Sequence, residues 1–148
     1  MAKELDDDVL GAWRAFLAAH ANATRAISRD LARAGLPDLG WYDLLWSLYR
    51  QPERRLRVNE LAREVALSPT AMSRFVDRVE AAGYVRREPD PADRRALQIA
   101  ITDAGVDALR KMWPVYAQGI EQHFAPALGA SAGRVRRMLE RVSESARG

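Results

Sequence analysis

The chain has 148 residues, 48% hydrophobic and 29% charged, a balance that fits one folded domain or a small two-lobed subunit and excludes a disordered chain. It contains no cysteine, which removes disulfide scaffolds, thiolate metal sites, cysteine nucleophiles and thiol redox sensing, and its two histidines, His20 and His123, are too few for a histidine-rich metal cage. The net charge is only +3, but the excess is local: residues 54–95 hold ten arginines against seven acids, while the rest of the chain holds thirteen charges of each sign.

Arginine suits bidentate contacts to phosphates and base edges. A GC-rich coding bias explains arginine in place of lysine, but not its concentration in the middle third. No apolar run approaches the roughly 18 residues of a membrane helix. The polar, acidic start MAKELDDDVL carries no secretory signal, so the expectation is a soluble cytoplasmic protein with no membrane partner.

Leu10, Trp13, Leu17, His20, Thr24, Ile27 and Leu31 recur in steps of three and four, which predicts a long first helix with one stripe. Asp6, Asp7 and Asp8 precede it and suit its positive end. Gly35-Leu36-Pro37 stops it. A second helix runs from about Trp41 to Arg50.

The middle third breaks into shorter pieces. Val58 to Val65 reads as a short helix with Leu61, Ala62 and Val65 inward. Ser68-Pro69 marks a new start, serine as N-cap and proline at the first helical position. The helix that follows has Met72, Phe75, Val76 and Val79 on one face, Thr70, Ser73, Arg74 and Asp77 on the other, and ends at Gly83. Two strand-like runs, Tyr84 to Glu88 and Leu97 to Ile101, flank a charged, turn-forming tip from Pro89 to Arg95. Thr102 caps another long helix carrying Val106, Leu109, Trp113, Tyr116 and Ile120 on one side, with Pro114 expected to kink it. Pro126 and Gly129 break it off, and Ser131 caps a last helix whose Val135, Met138, Leu139 and Val142 share a face.

The fold class that follows is mainly α with a small β-hairpin. A short helix, a tight turn and a second helix with a polar outer face form a helix-turn-helix, and the hairpin makes it winged. Such a helix fills the major groove of duplex DNA, with its N-terminal side chains at base edges. Those side chains are Ser68, Pro69, Thr70, Ser73 and Arg74, with Arg78 one turn further along. Arg74 has the donors for two parallel bonds to guanine, and the helix N-terminus favours a phosphate. Arg94 and Arg95 at the tip suit the minor groove, where the negative potential is concentrated. Asp93 fits there as an internal clamp that pairs with a neighbouring arginine. Asp90 reads as a turn residue. Arg86 and Arg87 read as phosphate contacts or solvated groups, as do Arg54, Arg55 and Arg57.

The stretch from Leu56 to Gly105, LRVNELAREVALSPTAMSRFVDRVEAAGYVRREPDPADRRALQIAITDAG, resembles the multiple-antibiotic-resistance regulator (MarR) family of bacterial transcription factors. Its most specific pieces are AAGYVRRE and the wing DPADRRALQIAITDAG. The family's Asp-x-Arg wing motif falls on Asp93, Arg94 and Arg95, which implies Arg95 as the minor-groove arginine and Asp93 as its orienting partner. Two positions depart from the pattern. Ala66 stands where the family often has glycine in the turn, at a cost of about 1 kcal/mol if that position needs positive φ; otherwise the turn is built without it. Arg57 stands at the usual threonine cap of the short helix, so that helix end needs another partner.

The resemblance covers nearly the whole chain in pattern: a lobe at 41–101 flanked by dimerisation helices at 9–34 and 102–146 of a single chain, residues 1–148. It implies a homodimer on a near-palindromic operator, and an effector pocket for a small aromatic or phenolic compound. Trp13, His20, Trp46 and Trp113 are its candidate lining; the plainer reading makes the tryptophans core and the histidines buried or interfacial. No cofactor or metal is expected. No GxSxG, phosphate loop, HExxH or paired catalytic carboxylates stand in the chain, so an enzyme is not expected. The leading function is a sequence-specific regulator, most often a repressor in this family. The alternative is a winged-helix architectural or protein-binding module without operator specificity.

Overall fold

A computed structural model describes residues 4–148; Met1 to Lys3 lie outside the described residues. In chain order the elements are α1 (Asp7–Arg33), α2 (Leu39–Tyr49), β1 (Arg55–Arg57), α3 (Val58–Glu64), α4 (Pro69–Ala81), β2 (Val85–Pro89), β3 (Leu97–Ile101), α5 (Asp103–His123), α6 (Ala125–Leu128), a 3₁₀ turn at Gly129–Ser131, and α7 (Ala132–Ala146). The expected elements are present in the expected order, and the fold is mainly helical with a small sheet. The strand β1 was not anticipated. It pairs antiparallel with β3, Arg55 opposite Ala100 and Arg57 opposite Gln98, and the sheet order is β1-β3-β2. Three residues are too few for alternation to show.

The chain divides into two compact units. Leu31–Val115 forms one, and the segments up to Asp30 and from Tyr116 form the other. The lobe drawn at 41–101 lies inside the first of these, which extends further at both ends.

The Leu31–Val115 unit holds the main core. Leu31, Leu44, Leu45, Leu48, Leu61, Met72, Val76, Val79, Ile99 and Met112 have no accessible surface. Burial of each such side chain contributes roughly 1.5–3 kcal/mol. Trp41 sits edge-on to Phe75 and Tyr84, with centroids 6.2 and 5.9 Å away. Thr102 caps α5 as expected: its Oγ1 accepts from the Gly105 amide at 3.1 Å and donates to the Gly83 carbonyl at 2.6 Å. Gly105 allows α5 to start against the sheet, because a Cβ there collides with the Tyr84 carbonyl oxygen.

The other unit is different in kind. Asp6 caps α1 by accepting from the Asp8 and Val9 amides at 2.9 and 3.1 Å, so Asp7 and Asp8 fall inside the first turn. Ile27 is buried at Gly119, where an added Cβ would lie 2.9 Å from its Cγ1. His123 Nε2 lies 2.8 Å from Asp30 Oδ2. His123 is itself exposed, so it is not the buried histidine of one expectation. His20 is exposed, which removes it from the core as well. Leu5, Val9, Trp13, Phe16, Leu17, Phe124, Met138, Leu139 and Val142 are all large, apolar and exposed in this unit. The helix α7 buries no residue. Pro114 lies within the helical span of α5, which carries no break at that residue. Ser131 occupies the N-cap of α7 but makes no side-chain cap bond, unlike the expectation.

Candidate nucleic-acid interface

The turn between α3 and α4 sets the angle of the presented helix. The Leu67 amide donates to the Ala62 carbonyl at 2.9 Å and the Ala66 amide to the Arg63 carbonyl at 3.3 Å, a Schellman termination. Ala66 takes the left-handed position of that motif, with φ +56. The conditional cost attached to alanine there therefore applies. The end of α4 repeats the pattern with Gly83 at φ +84, where no such cost arises.

Ser68 is the N-cap of α4, with φ −66 and ψ 154, and its Oγ accepts from the Ala71 amide at 3.2 Å. Pro69 holds the first helical position. Met72, Phe75, Val76 and Val79 anchor the inner face. Thr70, Ser73, Arg74 and Arg78 are exposed on the rest of the helix. Ser68, Thr70, Arg74 and Arg78 line one shallow surface groove together with Ala71 and Phe75. The Arg78 guanidinium stands 5.3 Å from the centre of the Phe75 ring, a cation–π contact that parks it beside the groove.

The wing is a β2–β3 hairpin in register from Val85↔Ile101 to Pro89↔Leu97. Its tip is organised by Asp90, which is buried at 4% exposure although its neighbours are open. Asp90 Oδ1 accepts from the Ala92 and Asp93 amides at 2.8 and 3.3 Å, and Oδ2 accepts from Arg57 Nε at 2.6 Å and Gln98 Nε2 at 3.4 Å. The Ala92 amide, then the Arg57 guanidinium, hold this carboxyl below its ordinary pKa against the opposing effect of burial. Asp93 Oδ1 accepts from the Arg95 amide at 2.9 Å. Its clamp on the arginine thus acts through the backbone, which corrects the expected carboxylate–guanidinium pair. Arg94 and Arg95 are exposed and make no ion pair among the described residues.

Eight of the ten arginines of the middle third sort into two groups, Arg54 and Arg63 standing apart. Arg87 is tied down: it donates to Glu80 Oε1 at 2.8 Å, Asp77 Oδ1 at 2.6 Å and the Ser73 carbonyl at 3.2 Å. Arg55 and Arg86 converge on Glu88 at 3.1 and 2.6 Å, and Arg57 goes to Asp90. The hydrogen bond from Arg86, reinforced by the charges of Arg86 and Arg55, lowers the Glu88 pKa. All four have acidic partners, but only Arg87, at 25% exposure, is held inside the fold, and Arg86 at 59% remains a solvated group as one expectation had it. Arg54 stacks on Tyr49 at 4.6 Å. Among the described residues, Arg74, Arg94 and Arg95 are the cations without an acidic partner on α4 and the wing tip, and Arg78 makes a ring contact with Phe75.

The missed residues are Arg57, Arg87 and Asp90. Asp-Pro at a strand end signals a carboxylate that accepts from amides two residues on. Nothing local signals its pairing with Arg57, 33 positions away.

The four candidate effector residues fall in two places. Trp46 and Trp113 belong to the Leu31–Val115 unit and each stack on Tyr42, with centroids at 6.5 and 6.2 Å. Trp46 also stacks on Tyr49 at 5.8 Å. Both tryptophans remain about half exposed, at 46% and 50%. Trp13 and His20 lie on α1 in the other unit, where Trp13 meets Phe16 at 6.1 Å. Among the described residues no helix is long and apolar enough to cross a membrane.

The MarR family model matches residues 34–96, which span α2 to the wing. AbsC, a MarR family transcriptional regulator from Streptomyces coelicolor, shares 29% identity and a TM-score of 0.86 over 99% of each chain. Sco3205, a MarR family regulator from the same organism solved in complex with DNA, shares 29% identity and a TM-score of 0.78, covering 95% of this chain and 90% of that one. The HTH-type transcriptional repressor IacR of Pseudomonas putida is 27% identical over 123 residues, 83% of this chain and 72% of that protein. The helix-turn-helix, the wing and these likenesses agree: over nearly its whole length the chain is similar to MarR family transcriptional regulators.

Proposed function

We propose that this regulator is a cytoplasmic, non-enzymatic repressor that grips a near-palindromic operator as a homodimer and is released by a small aromatic or phenolic effector. The observation that carries the reading is the sorting of arginines. Those of the sheet have acidic partners, whereas Arg74, Arg94 and Arg95 stand without one among the described residues, on the two elements that suit the grooves of B-form DNA. Thr70 and Ser73 add hydroxyl donors and acceptors beside Arg74, and the Ser68 cap leaves helix-terminal amides for a phosphate. Asp93 sets the Arg95 backbone, so its role is to position.

The apolar surface of α1 and α7 supports the dimer. A lone chain that leaves Trp13, Phe16, Leu17, Met138 and Leu139 exposed needs a partner for them. The half-exposed Trp46 and Trp113, stacked on Tyr42, supply flat faces for an aromatic effector, and Trp13 and His20 belong to the same reading. An effector releases DNA only by binding one arrangement of the lobes better than another.

Selection from a random duplex pool tests the proposal. A repressor prefers one palindrome over random duplex by about 10³ or more at moderate salt. Equal binding to all duplexes identifies an architectural module instead.

A further inference from the structure

We infer that Arg57 is a positioning residue for DNA binding: it aims the wing tip from the start of α3 without itself touching DNA. The inference rests on the reading of Arg95 as a minor-groove contact. Arg57 is the N-cap residue of α3 and makes no side-chain cap bond. Its guanidinium reaches the wing instead, where Nε donates to Asp90 Oδ2 at 2.6 Å. The acceptor is a carboxylate whose side chain is only 3% exposed.

From there the bonds run without a gap to the residue that matters. Asp90 Oδ1 holds the Ala92 and Asp93 amides, and Asp93 Oδ1 holds the Arg95 amide. Two backbone bonds close the loop, Asp90 amide to Ala96 carbonyl and Ala96 amide to Asp93 carbonyl, both 3.1 Å. Gln98, opposite Arg57 in the β1–β3 register, adds a second donor to Asp90. The tip is thus referenced to the helix that precedes α4, so wing and recognition helix are set from one point. A hairpin tip held only by its own strands has no such reference. Loss of the tether spreads the Arg95 side chain over more positions, and its contact weakens although the contact group is intact.

The test uses Arg57→Thr, because threonine supplies the missing cap to α3 while deleting the tether. Affinity for a pool-selected operator is measured for Arg57→Thr, Arg95→Ala, Arg74→Ala and the two doubles with Arg57→Thr, alongside hydrogen exchange of the free protein. Expected results are a Tm equal to or above wild type, faster exchange at the Ala92, Asp93 and Arg95 amides, and an affinity loss of roughly tenfold. The loss vanishes in the Arg95→Ala background and persists in full in the Arg74→Ala background. The slope of log affinity against log salt stays at the wild-type value.

Unchanged affinity or unchanged exchange overturns the inference. A salt slope shallower by about one makes Arg57 a phosphate contact, which also overturns it. Asp90→Asn, which keeps the turn acceptor and removes the charge, provides a second route with the same expected coupling to Arg95→Ala. Full-strength binding by Arg95→Ala alone removes the reading of the wing, and the inference with it. The exchange data then still report whether Arg57 holds the loop.

Discussion

Arg87 on β2 donates a 2.6 Å hydrogen bond to Asp77 on α4, and the same guanidinium holds Glu80 and the Ser73 carbonyl of that helix. One side chain therefore ties the first strand of the wing to the outer edge of the recognition helix. Arg87 is 25% exposed against 59% for its neighbour Arg86. Charged hydrogen bonds are worth more when part-buried, so Arg87→Ala is expected to cost about 2 kcal/mol and Arg86→Ala about 0.5 kcal/mol in urea unfolding. Equal losses contradict the assignment of Arg87 as the internal tie.

Ala66 pairs a left-handed backbone with a side chain that disfavours it. Ala66→Gly keeps both Schellman bonds and removes the Cβ conflict, so stability should rise by about 0.5–1 kcal/mol. A chemical denaturation midpoint reads the change. A drop shows that the unfolded-state entropy of glycine outweighs the relief.

Gly105 is constrained for a different reason, the absence of space. A methyl group there meets the Tyr84 carbonyl and Ile101 Cγ1, the first of these being backbone that cannot swing away. Gly105→Ala should destabilise by about 3 kcal/mol, with the loss visible as a lower Tm. A wild-type Tm shows that α5 does not start hard against the sheet.

Much of this fold was legible in the sequence because its signals are local. Ser68-Pro69 marks the start of α4, Gly83 marks its end, and the alternation Leu97, Ile99, Ile101 marks β3 at its observed bounds. The short strand β1 was not legible, since it exists only through pairing with β3. Charge composition located the basic third of the chain but not the destination of each cation. Arg57 and Arg87 differ from Arg74 and Arg95 in which acids the tertiary fold brings near, whereas Arg86 meets Glu88 only two residues away. A sequence holds that information non-locally, which is why the pairing of Arg57 with the turn residue Asp90 is not legible in it.

The acid limb of the stability curve provides a further check. Folding lowers the Asp90 pKa, chiefly through the Ala92 amide and the Arg57 guanidinium, and lowers that of Glu88 through Arg86. A depressed folded-state pKa means the contribution is complete above the unfolded value, about 3.9 for Asp90, and disappears as pH falls through the folded value. Asp90→Asn should therefore be less stable than wild type at neutral pH, with the gap closing only below about pH 4. A gap that is constant down to pH 2 contradicts the role given to this carboxylate.

The central claim is that α4 reads bases in the major groove while the wing tip probes the minor groove. The most direct measurement is a base-by-base affinity profile of the selected operator for wild type, Arg74→Ala and Arg95→Ala. Arg74→Ala should lose discrimination of about 1–3 kcal/mol at one symmetric pair of positions and little elsewhere. Arg95→Ala should weaken binding by a similar amount through the flanking minor-groove steps, with its fold unchanged. Profiles for both variants that superimpose on that of wild type would place DNA elsewhere on the protein and contradict the account.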